Sequence, residues 1–288
     1  MENIVELHNV SKTFQGFSIE QLNLQIKKGF VTGFIGANGA GKSTAIKMMM
    51  NLLKPDAGEI KIFGLDYASH EKEIKERIGF VFDSNVFYEG LNLKDIKRMV
   101  APAYKNWDEM IFKQYVEQFE LPMNKAIKTF SKGMQMKASL ALSLSHHAEL
   151  IIMDEPTAGL DPIFRRELLN LLHELMLDGN RTIFFSTHIT TDLDRIADFI
   201  AFLKKGQLMF NQSIHEVEEN YALVKGSTDL LDRDTEKAFM HIHRAPTGFE
   251  ALTNNVAEVE QIFGNEVMIE RASLEDIMYY SKGVGHHA

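Results

Sequence analysis

Apolar residues fall at alternating positions through "NIVELHNVSKTF" and "FSIEQLNLQI", the period of strands with one buried face. "FVTGFIG" is apolar on both faces and predicts a buried strand; "GKSTAIKMMMNLL" predicts a helix that starts inside a glycine loop. The run of methionines at 48–50 suits the core side of that helix, because the flexible thioether fills irregular gaps. "GEIKIFG" follows the turn signal "KPDAG" as a further strand. From about Ser84 to Ser145 the pattern becomes helical, in "LKDIKRMV", "DEMIFKQYVEQFEL" and "MQMKASLALSLS". Strands return at "ELIIMDEP" and "RTIFFSTH", with the helical "FRRELLNLLHELMLDG" between them. This alternation predicts an α/β fold: a mostly parallel sheet covered on both faces, antiparallel strands ahead of it, and a helical insertion over about 84–145.

"IAFLKKGQLMFNQSI" reads as a hairpin turning at "KKG". Beyond about Glu216 the elements become shorter and mixed, and residues 216–288 read as a small α+β appendage. Its last helix starts at "SLED", where Ser273 and Asp276 have capping-box spacing. His241 and His243 would share one face of a strand, but no cysteine or third ligand accompanies them, so no metal is expected there. The histidine pairs at 146 and 286 are expected in solvent, and "GVGHHA" as a frayed end.

Composition narrows the class. With 288 residues, 45% hydrophobic and 25% charged, the chain has room for one large domain and a smaller one. A formal net charge of −9 argues against a nucleic-acid binder, which needs concentrated Lys and Arg. Without cysteine there is neither a disulfide framework nor thiol chemistry. "MENIVELHNV" has no signal-peptide pattern, and no apolar run approaches the roughly 18 residues of a membrane span. Any work at a membrane would need another chain to do the spanning.

The chemistry concentrates in two places. "GANGAGKS" matches G-x-x-x-x-G-K-[ST], a loop whose bare backbone lets N–H groups converge on phosphate at a helix N-terminus. Gly36, Asn38, Gly39, Ala40, Gly41, Lys42, Ser43 and Thr44 form the candidate cradle. Lys42 would reach the β- and γ-phosphates of a nucleotide, and the Ser43 hydroxyl would ligand magnesium. "LIIMDEPTAGLD" ends an apolar strand in Asp154 and Glu155, which strand alternation would point to opposite sides. Asp154 is then a candidate magnesium ligand, and Glu155 a candidate for orienting an attacking water. "SKGMQ" is by itself a helix start with Ser131 as N-cap.

Together these motifs resemble the ATP-binding subunit of an ABC transporter over about residues 1–215, and residues 216–288 fall outside the resemblance. The resemblance implies a P-loop NTPase core that hydrolyses ATP with Mg2+. It makes "FSKGMQMK" the family signature, with Ser131 and Gly133 at the serine and second glycine, while Lys132 replaces the first glycine and Met134 a glutamine. It implies that Asp161 of "AGLDP" lies at the partner contact near the attacking water, and that His188 senses the γ-phosphate. Phe14 stands at the position of an adenine-stacking aromatic, with Phe17 or a core role as alternatives. Where the family usually has a glutamine between magnesium and the membrane partner, this chain has Asp83, a possible metal ligand that adds negative charge beside the γ-phosphate.

The resemblance further implies head-to-tail pairing, as a homodimer or with a second ABC ATPase, each ATP lying between one phosphate loop and the opposite signature. It implies an integral membrane permease as partner and a cytoplasmic location, peripheral on the inner face of the membrane. The signature replacements resemble those in bacterial export-type and peptide-resistance ATPases, and the chain as a whole is similar to Gram-positive exporters of drugs and antimicrobial or amphipathic peptides, including those for phenol-soluble modulins. The competing expectation is an ABC-type ATPase that signals to a membrane complex without moving cargo.

Overall fold

A computed structural model describes residues 1–82 and 87–281; the chain divides into two compact units, Met1–Asn211 and Gln212–Ala288. In the first unit, β1 (Asn3–Phe14) and β2 (Phe17–Lys27) form the antiparallel pair that their alternation predicts, with Leu7 opposite Leu24. Val5, Leu7, Leu22, Leu24 and Ile26 are fully buried on its inner side. After β3 (Val31–Ile35) and α1 (Lys42–Met49), β4 (Ala57–Ile62) and β5 (Leu65–Asp66) complete a sheet ordered β2-β1-β4-β5. Met48, Met49 and Met50 are buried in the core shared with this sheet, as their chemistry suggested.

The chain continues through α2 (Tyr67–Glu76), β6 (Ile78–Val81), α3 (Leu93–Val100), α4 (Glu109–Gln118) and α5 (Lys132–Leu144). It returns to the sheet at β7 (Leu150–Asp154) and passes through α6 (Pro162–Met176), β8 (Thr182–Thr187) and α7 (Leu193–Ile196). β9 (Phe199–Lys204) and β10 (Gln207–Ser213) follow, turning at Lys205 and Gly206. The second sheet is ordered β10-β9-β3-β8-β7-β6, with parallel pairing from β9 across to β6. Every residue of β3, β7 and β8 is buried, which is why these strands read as continuous apolar runs rather than alternating ones. The helices α3 to α5 enter between β6 and β7, as the change of period predicts. Ser143 on α5 donates to the Phe80 carbonyl at 2.9 Å, and a Cβ at Gly79 would come within 2.9 Å of the Ser143 carbonyl, so glycine allows this close approach.

The second unit holds α8 (Ile214–Asn220), β11 (Ala222–Gly226), β12 (His241–Ala245), β13 (Gly248–Thr253), α9 (Val256–Phe263), β14 (Met268–Arg271) and α10 (Leu274–Ser281). Its antiparallel sheet is ordered β12-β13-β11-β14 and has its own core of Val224, Phe249, Ala251, Val259 and Phe263. Ser273 and Asp276 cap α10 reciprocally: the Asp276 amide donates to Ser273 Oγ at 3.1 Å, and the Ser273 amide to Asp276 Oδ2 at 2.9 Å.

One expectation fails here. His146 is not in solvent but 1% exposed, stacked on Tyr104 with ring centroids 3.8 Å apart. Its neighbour His147, at φ 59, is the exposed member and approaches Asp108 at 3.5 Å. The left-handed backbone at His147 turns the chain between the two, so that one is buried and the other faces solvent. The second histidine pair, the terminal "GVGHHA" and Asp83 lie outside the described residues.

Candidate active site

The loop between β3 and α1 is shaped by contacts that exclude side chains. A Cβ at Gly36 would come within 2.4 Å of the Leu203 carbonyl oxygen, and one at Gly41 within 2.8 Å of the Phe17 ring. Gly41 also holds φ 109 and caps α1 without a side-chain hydrogen bond. The first helical bond runs from the Ala45 amide to the Gly41 carbonyl, so the amides of Lys42, Ser43 and Thr44 have no acceptor within the helix. They open on a cleft of about 700 Å3 that is also lined by Phe17, Lys132, Glu155, Ala158 and His188. Uncapped amides and a helix dipole at one wall of a cleft make an anion site.

The charged groups meet at the end of β7. Lys42, 6% exposed, donates to the Gly36 carbonyl at 2.7 Å and pairs with Glu155 Oε1 at 3.1 Å. Glu155 Oε2 lies 2.7 Å from His188 Nδ1 and accepts from the His188 amide at 3.3 Å. One carboxylate thus joins the phosphate-loop lysine to the histidine after β8. Asp154, also 6% exposed, faces elsewhere and accepts from Ser186 Oγ at 2.6 Å. The separation of the two acids has a different cause from the one expected. β7 ends at Asp154, and Glu155 turns away because its backbone is left-handed at φ 48, not by strand alternation.

Ser186 escaped the sequence reading. It stands opposite Asp154 in parallel register, donates to that carboxylate, and accepts from the Glu155 amide at 3.0 Å. The available signal was a hydroxyl interrupting the buried run "TIFFS". A second missed contact joins α6 to the segment after β8: Arg165 Nε donates to Asp192 Oδ1, and Arg165 Nη2 to Thr191 Oγ1 at 2.9 Å. Asp192 is 1% exposed, and its other oxygen has no hydrogen-bond partner.

The remaining candidates separate. Ser131 caps α5 by accepting from the Met134 amide at 3.2 Å, and Asp161 caps α6 by accepting from Ile163 and Phe164 at 3.1 and 3.0 Å. Ser131, Gly133 and Asp161 line a second cleft, of about 540 Å3, apart from the phosphate loop of the same chain. Phe14 is 42% exposed and stacks on Phe17 at 6.4 Å between centroids; Phe17 is the aromatic that lines the phosphate-loop cleft.

The sequence model of the ABC transporter family matches residues 19–158. The bacitracin transport ATP-binding protein BcrA of Bacillus licheniformis is 36% identical over 214 residues, 73% of this chain and 69% of that protein. The protein of the same name from Enterococcus faecalis is 31% identical over 304 residues, covering 99% and 97%. A solved ATP-binding subunit of an ABC transporter superposes with TM-score 0.68 at 27% identity, over 75% of this chain and 92% of that one. The dimeric ATP-binding cassette MJ0796, bound to ADP and Pi, gives TM-score 0.65 at 25% identity over 73% and 98%. The chain belongs to the ATP-binding subunits of ABC transporters. It is an ATPase subunit similar to the bacitracin transport ATP-binding proteins.

Proposed function

We propose that two such subunits, identical or paired with a second ABC ATPase, close head to tail around two magnesium–ATP and drive a separate permease that exports an antimicrobial peptide or drug. The single observation that carries the catalytic part is the Lys42–Glu155–His188 junction at the mouth of the phosphate loop. Lys42 and the amides of Lys42, Ser43 and Thr44 hold the phosphates, Glu155 orients and polarises the attacking water, and His188 positions Glu155 and senses the terminal phosphate. Ser131, Gly133 and Asp161 serve the opposite subunit's nucleotide, a reading supported by their separation from their own phosphate loop. Phe17, with Phe14 behind it, takes the adenine side.

Magnesium fits the donor set: Ser43 Oγ and the Asp154 carboxylate are hard oxygen ligands, with phosphate oxygens and water to complete the shell. Asp83 belongs to that set on sequence alone. Bound there, the ion would neutralise charge on the phosphates.

The peptide cargo rests on the two bacitracin transport relatives, one of which matches this chain almost end to end, accessory region included. We take residues 1–215 as the ATPase domain, with 84–145 as its helical insertion, and 216–288 as the accessory domain. No helix among the described residues is long and apolar enough to cross a membrane, which suits a peripheral subunit held on the inner face by its permease.

Reconstitution with the co-purifying membrane protein tests the proposal. Peptide flux that requires ATP and is lost in Glu155→Gln is the expected result. A Glu155→Gln protein that stays monomeric with magnesium–ATP would sink the sandwich; ATP turnover without flux would favour signalling over transport. Partner stimulation that is identical in Asp83→Gln and the native protein would remove Asp83 from coupling.

A further inference from the structure

We propose that Ser186 is a positioning residue for both acids of the site: its one hydroxyl orients the Asp154 carboxylate as a metal ligand and holds the turn that presents Glu155 to the attacking water. The inference rests on the reading above that Asp154 binds the cation and Glu155 acts on the water.

Ser186 is fully buried in β8, a strand in which every residue is buried. A hydroxyl sealed in such a strand costs stability unless its hydrogen-bonding capacity is met. Here the two acids meet it. Oγ donates its single hydrogen to Asp154 Oδ1 at 2.6 Å and accepts from the Glu155 amide at 3.0 Å. The same amide also reaches the Ser186 carbonyl at 3.2 Å. A small apolar residue would fill this place equally well and leave both acids without their partner, so packing alone does not account for the serine.

Both contacts follow from register. Ser186 stands opposite Asp154, the last residue of β7, and Glu155 comes next with its backbone at φ 48. The hydroxyl therefore sits where the strand breaks into the turn. Its donor is neutral. It fixes the rotation of the Asp154 carboxylate without cancelling the charge, as a lysine or arginine would, and a divalent cation needs that charge. No other donor among the described residues bonds this carboxylate, which assigns Oδ2 to the ligand. On the other side, Oγ and the carbonyl hold Glu155 in a conformation that a non-glycine residue resists. One hydroxyl thus sets ligand and base in a fixed relation, and its loss disturbs both together.

The full-length native chain, Ser186→Ala, Ser186→Thr and Asp154→Asn, each saturated with a non-hydrolysable ATP analogue and titrated with Mn2+ by electron paramagnetic resonance, test this. Ser186→Ala should bind Mn2+ about tenfold more weakly, with its affinity for the metal-free analogue within about twofold of native. Its kcat for ATP should fall by about tenfold or more, with KM within about twofold of native. Ser186→Thr, which keeps the hydroxyl, should recover most of both losses. Native Mn2+ affinity in Ser186→Ala, or an equal fall in metal-free affinity, would overturn the assignment and leave the serine a role in folding alone. Should Ser186→Ala not fold, Ser186→Cys, close in volume and a weak donor, is held to the same outcomes. Asp154→Asn distinguishes the two failures. If it keeps native Mn2+ affinity, the reading of Asp154 as metal ligand falls and the proposal with it; if it loses Mn2+ while Ser186→Ala does not, only the proposal falls.

Discussion

Glu155 holds a left-handed backbone that a non-glycine residue adopts at a cost of about 1–3 kcal/mol. Its surroundings fix it: Ser186 receives its amide, and Lys42 and His188 take its two carboxylate oxygens. Glu155→Gln keeps the shape and removes the base, so ATP turnover should fall by about two to four orders of magnitude while ATP binding persists, as single-turnover assays would show. Gly41→Ala meets both a φ of 109 and the Phe17 ring at 2.8 Å. It should distort the phosphate loop, weakening ATP binding at least as much as it lowers the melting temperature. Arg165 neutralises a carboxylate that is 1% exposed. Arg165→Met should therefore cost about 3–5 kcal/mol in urea unfolding, the penalty of an abandoned buried charge. A loss under about 1 kcal/mol would mean that water reaches Asp192.

Elements carry the next layer. Helix α5 begins at the Ser131 cap and ends one residue before Ser145, whose hydroxyl donates to the Ala141 carbonyl at 2.5 Å. Ser131→Ala should cost about 1 kcal/mol of stability for the lost cap, apart from any effect on turnover. Just beyond, His146 is sealed beneath Tyr104, and neither ring nitrogen makes a hydrogen bond of ordinary geometry. Burial pushes its imidazole down to about 4, weakly opposed by the backbone at Glu76. In the unfolded chain the ring titrates near 6.5, so between these values the unfolded state binds more protons. Stability is then complete above about pH 6.5 and declines as pH falls toward 4, by about 3 kcal/mol from this residue. His146→Phe, which can keep the stack on Tyr104, should flatten that part of the stability profile in urea melts from pH 4.5 to 7.5. An unchanged slope would assign the acid sensitivity to the carboxylates instead.

At the scale of the molecule, the first unit has two sheets and the second has one, and each unit has its own buried cluster. A chain ending at 215 should therefore fold and bind ATP within about twofold of the full protein, since the phosphate-loop cleft is built within Met1–Asn211. Sizing the shortened protein with ATP then shows whether the accessory unit acts on dimerisation.

The sequence by itself determined the strands, the helical insertion and the phosphate loop. Each is written in local terms: a period of two, a change to 3.6, or a glycine spacing that only bare backbone satisfies. It also pointed to the family, because the loop, the signature and the acidic strand follow one another in that order along the chain. Tertiary structure decided what depends on groups far apart in sequence. Ser186 meets Asp154 only because β8 lies beside β7 in parallel register. Arg165 meets Asp192 across 27 positions, and Lys132 reaches Gly159 across a similar gap. His146 was misjudged for the same reason: polarity is a property of the residue, but burial is set by what packs over it. Periodicity encodes which face is inside, and only the packed chain says which charges face each other there.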